Sequence, residues 1–384
     1  MNTPNPGRKK LGVLIGGSGL IGGTLVHYFK TKMPQAVEIR APSSKKLSIR
    51  SEEDIRSYID EVQPDFLINT AITNLNSNSR LALEVNYLGA LNLAKAAAAQ
   101  QIPYIHITTA AVLPYGDNLK EHDTLPITAD LNNYAKSKLL AEKSLHHLQK
   151  TAGLDYSSLR LAIVYGDHDH KIQGFHRLFF SIVEQSMPFL FTSRGVQHSY
   201  SNCRKIPYFV HHMLENREEF SGQTYNFVDQ DPVELAKLIL TIKKSLQLKS
   251  PKEIYLPYKV TRSSKKLLSI LLRFFAKAGL VARMPQELMF LESFYRNQTL
   301  SSEKLRSSSF VDPYPSETIF SLLPDLTSYY LTRWSEQNLI QGYRDELCHN
   351  RDYDCVFRET PSQLLDMIHC RSEDTSHTVA TPEE

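Results

Sequence analysis

The chain has 384 residues, 41% hydrophobic and 22% charged, with 19 Tyr and 17 Phe. That is enough apolar material to bury a core, which excludes a disordered chain. A formal net charge of +3, from 44 basic and 41 acidic side chains, lacks the basic excess of a dedicated nucleic-acid binder, so none is expected as a partner.

The N-terminal MNTPNPGRKK has no apolar run with a cleavage site, so no signal peptide is expected and a reducing cytoplasm is the expected home. The cysteines at 203, 348, 355 and 370 show neither CxxC nor Cys/His ligand spacing, so neither a zinc site nor a disulfide framework is indicated. LGVLI (11–15) reads as a buried parallel strand, followed by a glycine-dense turn and a helix from Leu20. VEIR (37–40) is a second strand, 52–62 a helix, and DFLINTA (65–71) a third strand. A long Ala- and Leu-rich helix covers 81–101, YIHITTAAV (104–112) is strand four, 132–152 a helix and 156–166 strand five. This alternation predicts an α/β fold, a doubly wound parallel Rossmann sheet over 9–166. A smaller substrate-binding region and C-terminal extension are expected over 167–345, with return elements near 224–246, and a partly disordered tail over 346–384.

The first chemical signal is Gly16-Gly17-Ser18-Gly19-Leu20-Ile21-Gly22, between a strand and a helix. Glycines at 16, 19 and 22 permit a tight turn and close backbone approach to a pyrophosphate, with the helix N-terminus aimed at the anion. A purely structural glycine turn is the alternative. At the end of strand two, where an acidic residue would hold the ribose hydroxyls of NAD, the chain has Glu38-Ile39-Arg40-Ala41-Pro42-Ser43-Ser44-Lys45. Arg40 there suits a ribose 2′-phosphate and favours NADP over NAD, unless Arg40 and Lys45 are simply solvated.

The second signal is Tyr134 and Lys138, four apart and so on one helix face. An ammonium beside a phenol stabilises the phenolate, which suits proton transfer at an alcohol or ketone oxygen. The spacing alone is weak, because Tyr28 and Lys32 repeat it in the first helix, where they read as a surface feature. What distinguishes Tyr134 and Lys138 is their place at the start of the helix between strands four and five.

With these motifs in that order, residues 10–245 resemble the extended short-chain dehydrogenases/reductases, the family of nucleotide-sugar epimerases, dehydratases and reductases and of 3β-hydroxysteroid dehydrogenases. The central PDFLINTA…HITTAAV is similar to dTDP-4-dehydrorhamnose reductases. The resemblance implies that Gly16, Ser18, Gly19, Leu20, Ile21 and Gly22 cradle the cofactor, that Asn69 and Ala71 line its adenine and pyrophosphate side, and that Lys138 holds the nicotinamide ribose. It also implies that Thr109 orients the substrate oxygen, that Tyr134 is the general acid or base, and that Asn86 supports a proton-relay water. Members commonly dimerise through the two helices that include Asn86 and Tyr134, so a homodimer is expected.

Three departures bear on the substrate. Ile15 stands where the family has Thr, and Ser48 where it often has an acidic residue at adenine. The stretch His198-Ser199-Tyr200…Arg204-Lys205-Ile206 lacks the Asp of the sugar-nucleotide pattern, although Arg177, Arg194, Arg204 and Lys205 remain candidates to meet a pyrophosphate. Asp167-His168-Asp169-His170 has the look of a metal cluster, but substrate-loop contact or solvent exposure reads better, and no metal is expected. Residues 262–283 form a cationic amphipathic stretch, interrupted by Arg273 and Lys277, that suits peripheral membrane contact, cover for an apolar substrate, or ordinary helix packing. The aromatic 323–339 segment reads as core or interface.

The sequence therefore points to an NAD(P)-dependent oxidoreductase interconverting a secondary alcohol and a ketone, the small-molecule substrate being a sugar-nucleotide or a sterol-like lipid alcohol. An epimerase or dehydratase with tightly held NAD is the first alternative. A non-catalytic nucleotide-binding protein is the second.

Overall fold

The computed structural model describes residues 8–75, 77–184, 189–190, 194–254, 291–337, 339–340 and 360–362. The amphipathic 262–283 stretch and most of the expected 346–384 tail lie outside them.

β1 (Lys10–Ile15) is buried from Gly12 onward, the unbroken apolar run of a strand covered on both faces. α1 (Leu20–Lys32) returns along one face, and β2 (Val37–Arg40) pairs parallel with β1, Val13 opposite Arg40. α2 (Glu52–Val62) starts at Ser51, whose hydroxyl accepts the Asp54 N–H at 3.1 Å, with three acidic residues in its first turn and Gln63 ending it at φ 48°. β3 (Phe66–Asn69) pairs parallel with the other edge of β1. The winding therefore reverses between β1 and β3, and the crevice at that switch point is where doubly wound sheets bind ligands.

The expected 81–101 helix is observed as α3 (Ser79–Leu81), a π-helical stretch (Ala82–Leu88) and α4 (Gly89–Gln100) in series. β4 (Tyr104–Thr109) follows, then the short β5 (Gly116–Leu119) and α5 (Asn133–Ala152). Asn132 caps α5 by accepting the Ala135 N–H at 2.8 Å, and Gly153 closes it at φ 64°.

The expected strand 156–166 is two strands. β6 (Tyr156–Leu161) stays in the main sheet, while β7 (Ile163–Tyr165) leaves it after Ala162. Beyond come α6 (Gly174–Val183), β8 (Phe189–Leu190), β9 (Gln197–His198), β10 (Tyr200–Asn202), α7 (Ile206–Glu215), α8 (Arg217–Phe220), β11 (Gln223–Phe227), β12 (Val233–Glu234), α9 (Leu235–Ser245), β13 (Lys252–Glu253) and β14 (Gln298–Leu300). β11 completes a six-stranded parallel sheet in the order β11-β6-β4-β3-β1-β2. β10 pairs with β7, and β12-β9-β14-β5 form a small second sheet of two- to four-residue strands, too short for an alternating pattern to register in sequence.

Alternate residues of β1 feed two cores. Leu14 packs with Leu25, Phe29, Phe209 and Met213 on the α1/α7 side, whereas Val13 packs with Ile55, Leu93, Ala97 and Leu145 on the α2/α4/α5 side. The chain divides into two compact units, Met1–Leu323 and Pro324–Glu384, and these strands all belong to the first. In the second, the end of the Ile319–Glu336 helix buries Tyr330 and Trp334, their rings stacked at 5.4 Å.

Candidate active site

The phosphate loop turns at Gly16, φ +89°, where an added Cβ would lie 2.6 Å from the Thr70 hydroxyl. At Gly22 an added Cβ would lie 2.2 Å from the Gly16 carbonyl oxygen and 2.8 Å from Thr70 Oγ1. Thr70 Oγ1 donates to the Ile15 carbonyl at 2.8 Å, so one hydroxyl pins the end of β3 to the end of β1 through the space the glycines leave. Gly19 differs: its added Cβ would meet only the Gly16 oxygen, at 3.5 Å, and it caps α1 with no side-chain bond and no acidic residue in the first turn. Leu20 and Ile21 therefore present first-turn N–H groups without intrahelical acceptors above an open surface, beside the exposed Ser18. This cradle fits a dinucleotide pyrophosphate.

Arg40 ends β2 exposed, and its Nε donates to Glu38 Oε1 at 3.0 Å. Both side chains project from the same face of the strand, and Ala41 lies close to Gly17, so the pair borders the loop. At the end of β3, Asn69 is buried: its Nδ2 donates to the Tyr104 hydroxyl at 2.9 Å and its Oδ1 accepts the Ala71 N–H at 3.0 Å. The Asn69 amide thus shapes the Ala71 turn from inside, and the surface offered to a ligand is that of Ala71 and the exposed Ile72 and Leu75.

Asn86, at 1% exposure in the π-helical stretch, accepts the Thr73 N–H at 2.9 Å. Its Nδ2 donates to Thr73 Oγ1 and to Ser137 Oγ, both at 3.1 Å. It ties the switch-point segment to α5 with every amide atom engaged inside the protein. Thr73 and Ser137 were missed in the sequence, where single hydroxyls beside recognised positions carry no signal of their own.

Thr109, Tyr134 and Lys138 are brought together where β4 ends and α5 begins. Tyr134 is partly buried with Thr109 as its hydrogen-bond partner. Burial pushes the Tyr134 phenol above its ordinary value and the Thr109 bond pulls part of that back. The phenol is therefore raised rather than lowered as the sequence led one to expect, and Lys138 is not among the groups that shift it. Thr109 Oγ1 also accepts the Ala111 N–H at 3.2 Å. Lys138, at 1% exposure, donates from Nζ to the Ile107 carbonyl at 2.9 Å. Burial brings its ammonium down to about 8, against the opposing charge of Glu142.

The other basic residues separate. Lys205 is buried, donating to Asp312 Oδ2 at 2.9 Å and to the Glu317 carbonyl at 3.1 Å, so its charge is spent internally and not offered to a pyrophosphate. Arg194 pairs with Glu253 at 2.9 Å. Arg204, with Gly17, Ser18, Gly19, Tyr208 and Tyr314, lines a cavity of about 830 Å³ that runs along α1 and does not include Thr109, Tyr134 or Lys138. In the Asp167–His170 stretch, Asp169 lies 3.8 Å from His176 Nδ1, and among the described residues no three His, Cys, Asp or Glu side chains converge as a metal site. Among the described residues, no helix is long and apolar enough to cross a membrane.

A glycine cradle at the switch point of a doubly wound parallel sheet defines a Rossmann-like fold. Residues 13–188 match the model of the NAD dependent epimerase/dehydratase family, and that segment is similar to extended short-chain enzymes that use a nicotinamide dinucleotide. The chain is 24% identical over 243 residues, 62% of its length and 69% of the relative's, to the N-acetyl-alpha-D-glucosaminyl-diphospho-ditrans,octacis-undecaprenol 4-epimerase of Escherichia coli O157:H7. Its fold is similar to that of dTDP-4-dehydrorhamnose reductase from Bacillus anthracis in complex with NADP, with a TM-score of 0.59 and 17% identity over 85% of this chain and 100% of that one. It is also similar to the Thermus thermophilus UDP-glucose 4-epimerase complex with NAD, with a TM-score of 0.51 and 20% identity over 64% of this chain and 86% of that one.

Proposed function

We propose that this protein is an NADP-preferring oxidoreductase that interconverts a secondary alcohol and a ketone on a sugar carried by a diphosphate. The observation that carries the reading is the meeting of Thr109, Tyr134 and Lys138 at the end of β4, beside the glycine cradle. A bound nicotinamide supplies hydride chemistry; the chain supplies the proton and the geometry. Tyr134 gives its phenolic proton to the substrate oxygen during reduction and recovers one from it during oxidation. Thr109 Oγ1, already the partner of that phenol, holds the same oxygen in line. Lys138 lies one helical turn below and offsets phenolate charge as it develops, which favours the step despite the raised phenol.

Arg40 supports the NADP preference, because its Glu38 contact engages Nε and leaves both Nη groups outside that contact. The sugar-diphosphate class rests on the similarity to the epimerase and the reductase described above. Leu81, Leu83 and Leu88, exposed along the Asn86 helix, support a homodimer through that helix and α5, which light scattering of the purified chain tests.

Tyr134→Phe tests the chemistry. Turnover of a nucleotide-linked 4-ketosugar with NADPH falls by about 10²-fold or more while NADPH affinity is kept. Equal turnover in the variant overturns the assignment. Native mass spectrometry of the purified protein separates the modes: an empty or NADP-bearing site supports the exchanging reductase, and stoichiometric NAD moves the reading to an epimerase or dehydratase.

A further inference from the structure

Lys138 is enclosed on three sides. From α5 it is flanked one turn either way by Tyr134 and Glu142; from β4 it is faced by His106 and by the Ile107 carbonyl that accepts its hydrogen bond; beyond Glu142, β6 contributes Arg160. His106 is fully buried, and burial, followed by the Lys138 charge, holds it well below its ordinary value, so it brings no charge of its own near neutrality. Glu142 and Arg160 are both buried, at 8% and 1% exposure. Glu142 Oε2 accepts from Arg160 Nη2 at 2.7 Å, and Oε1 accepts from Thr108 Oγ1 at 2.7 Å and Arg160 Nε at 3.4 Å. Arg160 Nη1 then donates to the Glu121 carbonyl at 3.0 Å and Asn226 Oδ1 at 3.4 Å, and Lys304 lies on that far side.

The charges in this cluster do not balance in pairs. Two buried cations, Lys138 and Arg160, share one buried carboxylate, that of Glu142. Arginine does not give up its proton in a protein, so if the carboxylate charge is lost, the group that must neutralise is Lys138. An ordinary tie between α5 and β6 would need only the Arg160 and Thr108 bonds. The i, i+4 placement of Glu142 after Lys138 puts the two buried charges on one face of α5, one turn apart, where the carboxylate favours the ammonium without pairing with it directly.

We propose that Glu142, fixed by Arg160 and Thr108, is a positioning residue that acts through Lys138, holding it as an ammonium beneath Tyr134. Its consequence for turnover rests on the oxidoreductase reading above; its effect on the charge of Lys138 does not.

The test follows the Cε chemical shift of Lys138 with pH in the cofactor-free full chain carrying ¹³C-lysine, the signal assigned by its loss in Lys138→Met. In Glu142→Gln the midpoint of that titration falls by about one pH unit or more, and Glu142→Asp restores most of it. A folded Glu142→Gln whose Lys138 midpoint matches the wild type overturns the proposal. Should that variant fail to fold, Glu142→Gln combined with Arg160→Met leaves no orphaned arginine and carries the same expectation, a midpoint below that of the wild type; an unchanged midpoint again overturns it. In turnover, the alkaline limb of the pH profile moves down by the same interval in Glu142→Gln. If no sugar ketone is turned over by the wild type, the function reading fails while the titration still decides the role of Glu142.

Discussion

Asn86 separates a clasp from a proton relay, and replacing it with alanine distinguishes the two by stability. The side chain makes three hydrogen bonds at 1% exposure, two to Thr73 and one to Ser137. Ser137 keeps a partner after the replacement, because its hydroxyl also donates to the Tyr134 carbonyl at 3.0 Å. The Thr73 N–H does not, and a buried orphaned donor costs about 1–3 kcal/mol. Adding roughly 1 kcal/mol for the two lost donor bonds together gives an expected loss of about 2–4 kcal/mol. Urea unfolding of Asn86→Ala measures it, with Thr73→Val as a companion that keeps the N–H bond and loses only about 1 kcal/mol. Because Thr73 follows Ala71 at the switch point, NADPH affinity should weaken in step with stability. A stability within about 0.5 kcal/mol of the wild type, with turnover lost, would refute the clasp and return Asn86 to the relay role implied by the family resemblance.

Three further outcomes follow from the same geometry. Gly19→Ala adds a methyl at ordinary contact distance, 3.5 Å, from the Gly16 oxygen, so stability stays within about 0.5 kcal/mol while dinucleotide affinity drops at least about tenfold; Gly22→Ala, driven into the Gly16 carbonyl, loses stability as well, by about 2 kcal/mol or more. Calorimetric titration and urea unfolding check both. Arg40→Ala removes charge-assisted bonds of about 1.5–3 kcal/mol and should weaken NADPH roughly tenfold or more with little change for NADH; equal loss for both would sink the 2′-phosphate assignment. Asp229 accepts the Tyr165 hydroxyl at 2.7 Å, and burial raises its carboxyl from 3.8 to about 6. Since the folded state holds that proton more tightly than the unfolded one, stability falls as pH rises from about 4 to 6. Asp229→Asn should therefore exceed the wild type by about 1–3 kcal/mol at pH 7.5 and converge with it near pH 4; a difference independent of pH refutes the cause.

The sheet was legible because β1 and β3 are covered on both faces and spell short apolar runs, while the edge strand β2 alternates buried Val37 and Ile39 with exposed Glu38 and Arg40. α2 matches its expected bounds through its Ser51 cap and the acidic first turn that follows it. What was not legible depended on contacts distant in sequence. β7 leaves the sheet to pair with β10 although the run from Tyr156 to Gly166 reads as one strand. The π-helical stretch around Asn86 is silent because its period differs from 3.6 only across two turns. Lys205 reads as a spare cation until Asp312, more than a hundred residues later, is seen against it.

The two Tyr-x-x-x-Lys pairs show where sequence reasoning needs topology. Both place the phenol and ammonium one helical turn apart, and nothing local tells them apart. Tyr28 lies on α1, its hydroxyl 3.1 Å from His211 Nδ1 and its ring 4.7 Å from that of Tyr208, with Lys32 exposed at the helix end. Tyr134 lies at the start of α5, where Thr109 ends β4 within the sheet and Lys138 is drawn down to the Ile107 carbonyl. The difference is the strand each helix is laid against. A helix leaving the carboxyl end of β4 faces the crevice beside the switch point, whereas the outward side of α1 faces α7. A four-residue spacing supplies a candidate acid or base; the order of strands decides whether a substrate oxygen can reach it.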